Sequence, residues 1–398
     1  MRASGFPAAP AVRPENRVGR GADPADDAGG FRPPVSLDAG RPVREGDSRL
    51  ASVLCAGGLG DAASRPLPCG RQRPSGPWRA DGGAVGPAGG DPGDAGPSFD
   101  QTVEPGGYAW WYLDAVSDDR RHGVVIIAFL GSVFSPYYAW AGRKDPLNHC
   151  AVNVALYGPR CSLWAMTERN RSAVTRSRTL LAVGRSSLSW DGDGLRIEVD
   201  ECAAPIPRRL RGRIEVRAEA INSSAFLLEE EGKHWWRPLA PKARVAVEME
   251  TPGLRWRGTG YFDQNAGAEP LERAFSHWTW SRAQARDGAA ILYDAVRRRE
   301  GALSLALGFD RHGGFENRCA PATAVLPRTR WRLSRQTRSD DGQASVIRSL
   351  EDGPFYARSL VGHSLFGERL ESVHESLSLE RFSRPIVRLM LPFRMPRR

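Results

Sequence analysis

Two short patterns place ionisable groups beside large aromatic rings at a spacing that suits a β-strand. In His234-Trp-Trp236, His234 and Trp236 lie two residues apart, so on an extended chain they share a face while Trp235 turns the other way. Tyr261-Phe-Asp263 repeats the arrangement, with Tyr261 and Asp263 on one face and Phe262 on the other. An Asp turned into an aromatic enclosure loses its hydration. Its pKa rises, and the carboxyl stays neutral and able to donate a proton. The competing reading is local, because Asp263-Gln-Asn-Ala-Gly267 also has the composition of a turn.

Aromatic crowding surrounds these patterns. Tyr108-Ala-Trp-Trp-Tyr112, Phe134-Ser-Pro-Tyr-Tyr-Ala-Trp140 and His277-Trp-Thr-Trp280 bring Trp110, Trp111, Tyr112, Trp235 and Trp278 forward as residues that would line an apolar ligand. For any one of them packing a β core is the favoured reading; as a set they suit a long apolar ligand held inside a barrel. Asp114 shares a period-2 face with Tyr108, Trp110 and Tyr112, which makes it a second ligand-facing carboxyl. Glu104, before Pro105-Gly-Gly107, opens a loop. Nucleophile-elbow, zinc-protease, phosphate-loop and dinucleotide motifs do not occur. The six cysteines are scattered without a CxxC pair, so neither a disulfide framework nor a metal site is expected.

The elements that must position these residues are strands. Arg213-Ile-Glu-Val-Arg-Ala and Arg244-Val-Ala-Val-Glu-Met alternate charged and apolar residues; Ala151–Tyr157 and Leu303–Phe309 do the same with small or polar partners. Turn signals such as Trp190-Asp-Gly-Asp-Gly194 and Asp340-Asp-Gly342 separate them, and no long amphipathic helix intervenes. The fold class is therefore all-β, barrel or sandwich. A loose echo between the segments around Trp111 and Trp278, 167 residues apart, suggests two domains. We place them at 99–245 and 246–384, with a basic tail at 385–398.

Residues 1–98 are built differently. Gly and Pro supply 33 of those 98 residues but only 40 of the remaining 300, and the segment has one Trp and no Tyr or His. It lacks the apolar side chains that offset the entropy of ordering, so a disordered extension is expected. The net charge is +10, with 53 of 56 basic residues Arg, yet the positives are dispersed and nucleic acid is not an expected partner. The longest apolar run, Val124–Leu130, is seven residues against the roughly 20 needed to span a bilayer. The amino terminus has no apolar stretch of signal-peptide length, which points to the cytoplasm. The tail Pro385–Arg398 mixes apolar residues with Arg and is a candidate for contact with an anionic membrane surface, although Pro392 and Pro396 limit any helix and make a disordered basic tail an equal expectation.

From about Phe99 to Arg384 the chain resembles the carotenoid 1,2-hydratases, or hydroxyneurosporene synthases, of purple phototrophic bacteria. The resemblance rests on Glu104-Pro-Gly-Gly-Tyr-Ala-Trp-Trp-Tyr-Leu-Asp114, Ile126–Trp140, Asn148–Gly158, Trp164-Ala-Met-Thr-Glu-Arg169 and Gly260-Tyr-Phe-Asp263. It implies two lipocalin-like β domains and cofactor-independent addition of water to the terminal C1–C2 double bond of acyclic carotenoids such as neurosporene and lycopene. The family's His-x-Trp and Tyr-x-Asp pairs match His234/Trp236 and Tyr261/Asp263. On that reading Asp263 is the acid and Tyr261 positions it. Trp236, with Trp111, faces the cation, and His234 either handles the water or holds Asp263. The acidic run Glu229-Glu-Glu231 departs from the family pattern. The substrate implies peripheral attachment to a membrane. A lipocalin-like pigment or lipid carrier is the rival expectation.

Overall fold

A computed structural model describes residues 96–159 and 162–398, together with the backbone of the two-residue strand Ala84–Val85. Most of the expected disordered extension lies outside the described residues. The ordered part nevertheless begins before Phe99. Ala84–Val85 pairs with Ala225–Leu227, the Pro97 carbonyl accepts the Trp111 indole N–H at 2.8 Å, and the Gly96 carbonyl accepts from Arg237 at 2.6 Å.

The described residues are predominantly antiparallel β-structure, as the alternation predicts. The strand Arg209–Ala218 alternates exposed and buried positions along most of its length, with Leu210, Gly212, Ile214 and Val216 inward. Gly194 N–H donates to the Asp191 side chain at 2.9 Å, closing the predicted Asp-Gly-Asp-Gly turn, with Gly192 at φ +109°. Cys319 is disulfide-bonded, against the expectation of isolated cysteines, while Cys150 and Cys202 are free. Among the described residues, no helix is long and apolar enough to cross a membrane.

Two sheets matter for the site. The first has 13 strands and runs from Leu163–Arg169 through Cys150–Tyr157, Gly123–Leu130 and Tyr108–Ser117 to Leu254–Gly267. It continues through His234–Thr251, Arg209–Ala218 and Gly194–Cys202 to three short edge strands. The second has seven strands, with Phe275–Ala285 paired between Gly288–Arg297 and Glu368–Ser378. A division at residue 245/246 falls inside the strand His234–Thr251. The chain changes sheets between Gly267 and Phe275.

Nearly every residue of Tyr108–Ser117 is buried, as are those of the Tyr261–Ala266 stretch beside it, because these two strands serve a core on each face. One face packs Trp111, Leu113 and Phe262 into the interior of the first sheet with Leu239, Ile197 and Ile214. The other turns Tyr108, Trp110, Tyr112 and Tyr261 toward the second sheet, where they meet Trp278, Trp280, Tyr293 and Leu305. The echo noted in the sequence is thus a facing relation. Trp110, not Trp111, meets Trp278, with ring centroids 6.2 Å apart.

A buried ion pair ties the sheets together. Asp114 on the first and Arg282 on the second are 1% and 3% exposed, and Arg282 Nε donates to Asp114 at 2.8 Å. Removing one partner of such a pair strands a charge in a low-dielectric interior, at a cost of about 3–5 kcal/mol. Arg282→Met is expected to lower unfolding stability by about that amount, and the double variant Asp114→Leu/Arg282→Met to recover most of it. Urea denaturation followed by fluorescence checks both.

Candidate active site

Register fixes what lies on the face between the sheets. Along Leu254–Gly267, Tyr261, Asp263, Asn265 and Gly267 pair with Asp114, Tyr112, Trp110 and Tyr108 on one side. Asn265 and Gly267 pair with Trp236 and His234 on the other. All these positions therefore point the same way. The turn reading for 263–267 does not hold, since the strand continues through Gly267.

Asp263 is the centre of the arrangement. Its Oδ2 accepts the Tyr261 hydroxyl at 2.7 Å and the Trp236 indole N–H at 2.9 Å, and Trp236 Nε1 also lies 3.1 Å from the Tyr261 oxygen. Asn265 Nδ2 approaches the other oxygen, Oδ1, at 3.2 Å. The carboxyl is 4% exposed, and burial pushes its pKa up to about 8. The donors Tyr261 and Trp236 pull it back down, while Glu375 and Asp114 raise it further. Each of those two carboxyls has its own Arg: Asp114 has Arg282, and Glu375 takes Arg358 Nε and the Tyr112 hydroxyl at 2.8 and 2.7 Å. Among the described residues Asp263 makes no ion pair. Burial therefore favours the protonated, neutral form of Asp263 at neutral pH.

Rings enclose it. Tyr261 and Trp280 have centroids 5.0 Å apart, Tyr112 and Trp280 5.4 Å, and Trp236 and Tyr293 5.2 Å. Of the aromatic residues singled out in the sequence, Trp110, Tyr112, Trp236 and Trp278 join this face. Trp111 and Trp235 do not, because each sits one residue out of phase. Trp111 packs edge-on against Phe99 in the first core, and half-buried Trp235 packs against that core. Neither ring reaches the acid.

His234 is not bonded to Asp263: it pairs with Gly267, four residues further along the neighbouring strand. It is fully buried, its Nδ1 is 2.9 Å from the Tyr108 hydroxyl, and burial pushes its pKa down to about 4, so the ring is neutral. Gly267 makes room for this pair, since a Cβ there would stand 2.5 Å from both His234 Nδ1 and a Tyr108 ring carbon. The departure Glu229-Glu-Glu231 has a structural use, with Glu229 accepting the His234 backbone N–H at 2.9 Å.

The two ends of the inter-sheet space differ. At the Asp114–Arg282 end, a cavity of about 530 Å³ is lined by polar groups including Arg120, Arg282, Gln284 and Glu371, with Leu360 and Val373. At the Tyr108 end the walls are Trp110, Trp278, Phe275 and Phe129, and the C-terminal segment closes over them through Phe382, Leu391 and Met395. Sequence reasoning missed Asn265, Trp280, Tyr293, Glu375 and Arg358. Asn265 was legible by continuing the period-2 pattern past Asp263. The others come from the second sheet, and no local spacing links them to the first.

The described residues contain no group of three or more His, Cys, Asp or Glu able to hold a metal ion. Fold and site together define a lipocalin-like all-β protein with a carboxylic acid buried among aromatic side chains between two sheets. The chain belongs to the carotenoid hydratase CrtC family, whose sequence profile matches residues 126–398. It is 50% identical to the acyclic carotenoid 1,2-hydratase of Thiocapsa roseopersicina, covering 93% of each chain. It is 48% identical to that of Rubrivivax gelatinosus over the whole of both. A solved AttH structure from Nitrosomonas europaea aligns with a TM-score of 0.49 at 14% identity, over 72% of this chain and 98% of that one.

The acid's environment sets a pH signature. Because Asp263 holds its proton up to about pH 8 when folded but only to about 4 when unfolded, the folded state binds more protons between those values. Stability is therefore expected to fall as pH rises across that window, and Asp263→Asn to flatten the slope. Tyr261→Phe removes a bond that favours the charged form, so the carboxyl C=O infrared band of Asp263 is expected to persist to higher pH in that variant than in the wild type.

Proposed function

We propose that the protein hydrates the terminal C1–C2 double bond of acyclic carotenoids such as neurosporene and lycopene, giving 1-hydroxy products, with Asp263 as the acid. The single observation that carries this mechanism is a buried carboxyl without a counter-ion, held neutral to about pH 8 inside a ring of aromatic side chains. An alkene is a very weak base, so its protonation needs a positioned neutral acid in a dry site.

The hydrogen-bond pattern supports one position for the proton. Oδ2 already accepts from Tyr261 and Trp236, so the transferable proton sits on Oδ1, which has only the longer Asn265 contact. Transfer from Oδ1 to C2 leaves a tertiary cation at C1 and a carboxylate whose two donor bonds strengthen as it becomes charged. The faces of Tyr112, Trp236, Tyr261 and Trp280 stabilise the cation by about 0.5–2 kcal/mol each. Water adds at C1, and the oxonium then loses a proton.

The Asp263 carboxylate left by the transfer takes the proton back, since His234 lies opposite Gly267, four residues along the strand, and is engaged by Tyr108. This restores the acid for the next cycle. His234 then serves by fixing Tyr108 beneath Trp110, whose rings stack 4.9 Å apart. Water enters from the polar cavity beside Arg282 and the polyene from the aromatic end. A substrate of such length dissolves in bilayers, so the enzyme works at a membrane surface.

Expression in cells that accumulate lycopene is expected to give mono- and dihydroxy pigments, each new hydroxyl carrying oxygen from labelled water. Asp263→Asn is expected to lower hydration by about 10²–10⁴-fold while the fold persists. In vitro, activity should hold at lower pH and decline through about pH 8 as Asp263 ionises. Unchanged pigment that co-purifies with the wild-type chain, and is retained equally by Asp263→Asn, would instead identify a carrier.

A further inference from the structure

The C-terminal arm carries an exposed apolar face that the core does not use. Its helix, Pro385–Met390, continues into a 3₁₀ turn, Leu391–Phe393. Val387 and Met395 point inward, with Met395 and Leu391 against the aromatic end of the inter-sheet space. Ile386, Leu389, Met390 and Phe393 point outward at 65, 60, 37 and 78% exposure, a helical i, i+3, i+4, i+7 stripe turned toward solvent. The arm is fixed in place. Arg388 shares Glu272 with Arg143, and Arg397 pairs with the buried Glu168, whose backbone N–H donates to Pro396 at 2.9 Å.

We infer that this face is the membrane-docking surface, and that its occupant is the interfacial layer of an anionic bilayer. Charge complementarity supports the choice. Residues 379–398 hold six Arg against one acid, Glu380, and Arg384, Arg394 and Arg398 remain exposed around the apolar stripe. Four side chains fall well short of the roughly 800 Å² per partner of a stable protein interface, whereas an interfacial helix needs only an apolar stripe and a basic rim. Docking here sets the aromatic end of the cleft against the lipid that holds the polyene. The inference rests on the hydratase reading and adds where the enzyme meets its substrate's phase.

The test is co-sedimentation of the full chain with phosphatidylcholine vesicles with and without phosphatidylglycerol. The wild type is expected to bind the anionic vesicles and to release at high salt. The triple variant Ile386→Ser/Leu389→Ser/Phe393→Ser should bind at least about tenfold more weakly, while hydrating lycopene in detergent micelles at the wild-type rate. The single variant Phe393→Glu, checked by circular dichroism, gives the same reading should the triple variant fail to fold. Wild-type binding by these variants, no vesicle binding by the wild type, or self-association lost on substituting the stripe would each overturn the inference. Failure of every form to hydrate in micelles, with vesicle binding still dependent on the stripe, would strike the hydratase reading and leave the docking surface standing.

Discussion

A carboxyl buried between two sheets without a cation beside it is the constraint that organises this protein. Burial is the largest influence that raises the Asp263 pKa to about 8, and an adjacent Arg would work against that shift. The two neighbouring carboxyls, Asp114 and Glu375, have Arg282 and Arg358 at hydrogen-bonding distance. Their charges are compensated locally, and the remaining repulsion pushes Asp263 further toward its neutral form. Tyr261 and Trp236 work in the opposite sense. They hold the group at one oxygen and limit the upward shift.

That balance requires two strands buried on both faces. Tyr108–Ser117 and Leu254–Gly267 separate the interior of the first sheet from the inter-sheet space, and period-2 geometry assigns each residue to one side. Trp111 and Phe262 pack into the core of the first sheet, while Trp110, Tyr112, Tyr261 and Asp263 face the second sheet. A one-residue slip would exchange the two sets and bring the wrong side chains to the acid. The dense aromatic sequence therefore divides between support and chemistry.

The cleft is also polarised along its length. Arginine, glutamine and glutamate line the cavity at one end, and tryptophan, phenylalanine and the docked C-terminal arm enclose the other. Such a gradient suits a reaction that joins a hydrocarbon to water. The acid lies between the two ends.

Much of this was written in short-range sequence. Alternation specifies strands because a half-buried pleated surface needs it, and the spacings 234/236 and 261/263 put each pair on one face whatever the rest of the chain does. The resemblance to carotenoid 1,2-hydratases rested on the same local segments. Which face turned toward the second sheet was decided only by tertiary structure. Trp110 and Trp111 are equivalent as types and adjacent in the chain, and strand pairing with residues about 150 positions away made one a wall of the cleft and the other core. The same long-range pairing carried the first sheet past residue 245 to Gly267 and gave Arg282 and Arg358 to two carboxyls but not to the third. A pKa depends on what surrounds a group in space. Local sequence therefore named Asp263 as a candidate, and only the fold made it an acid.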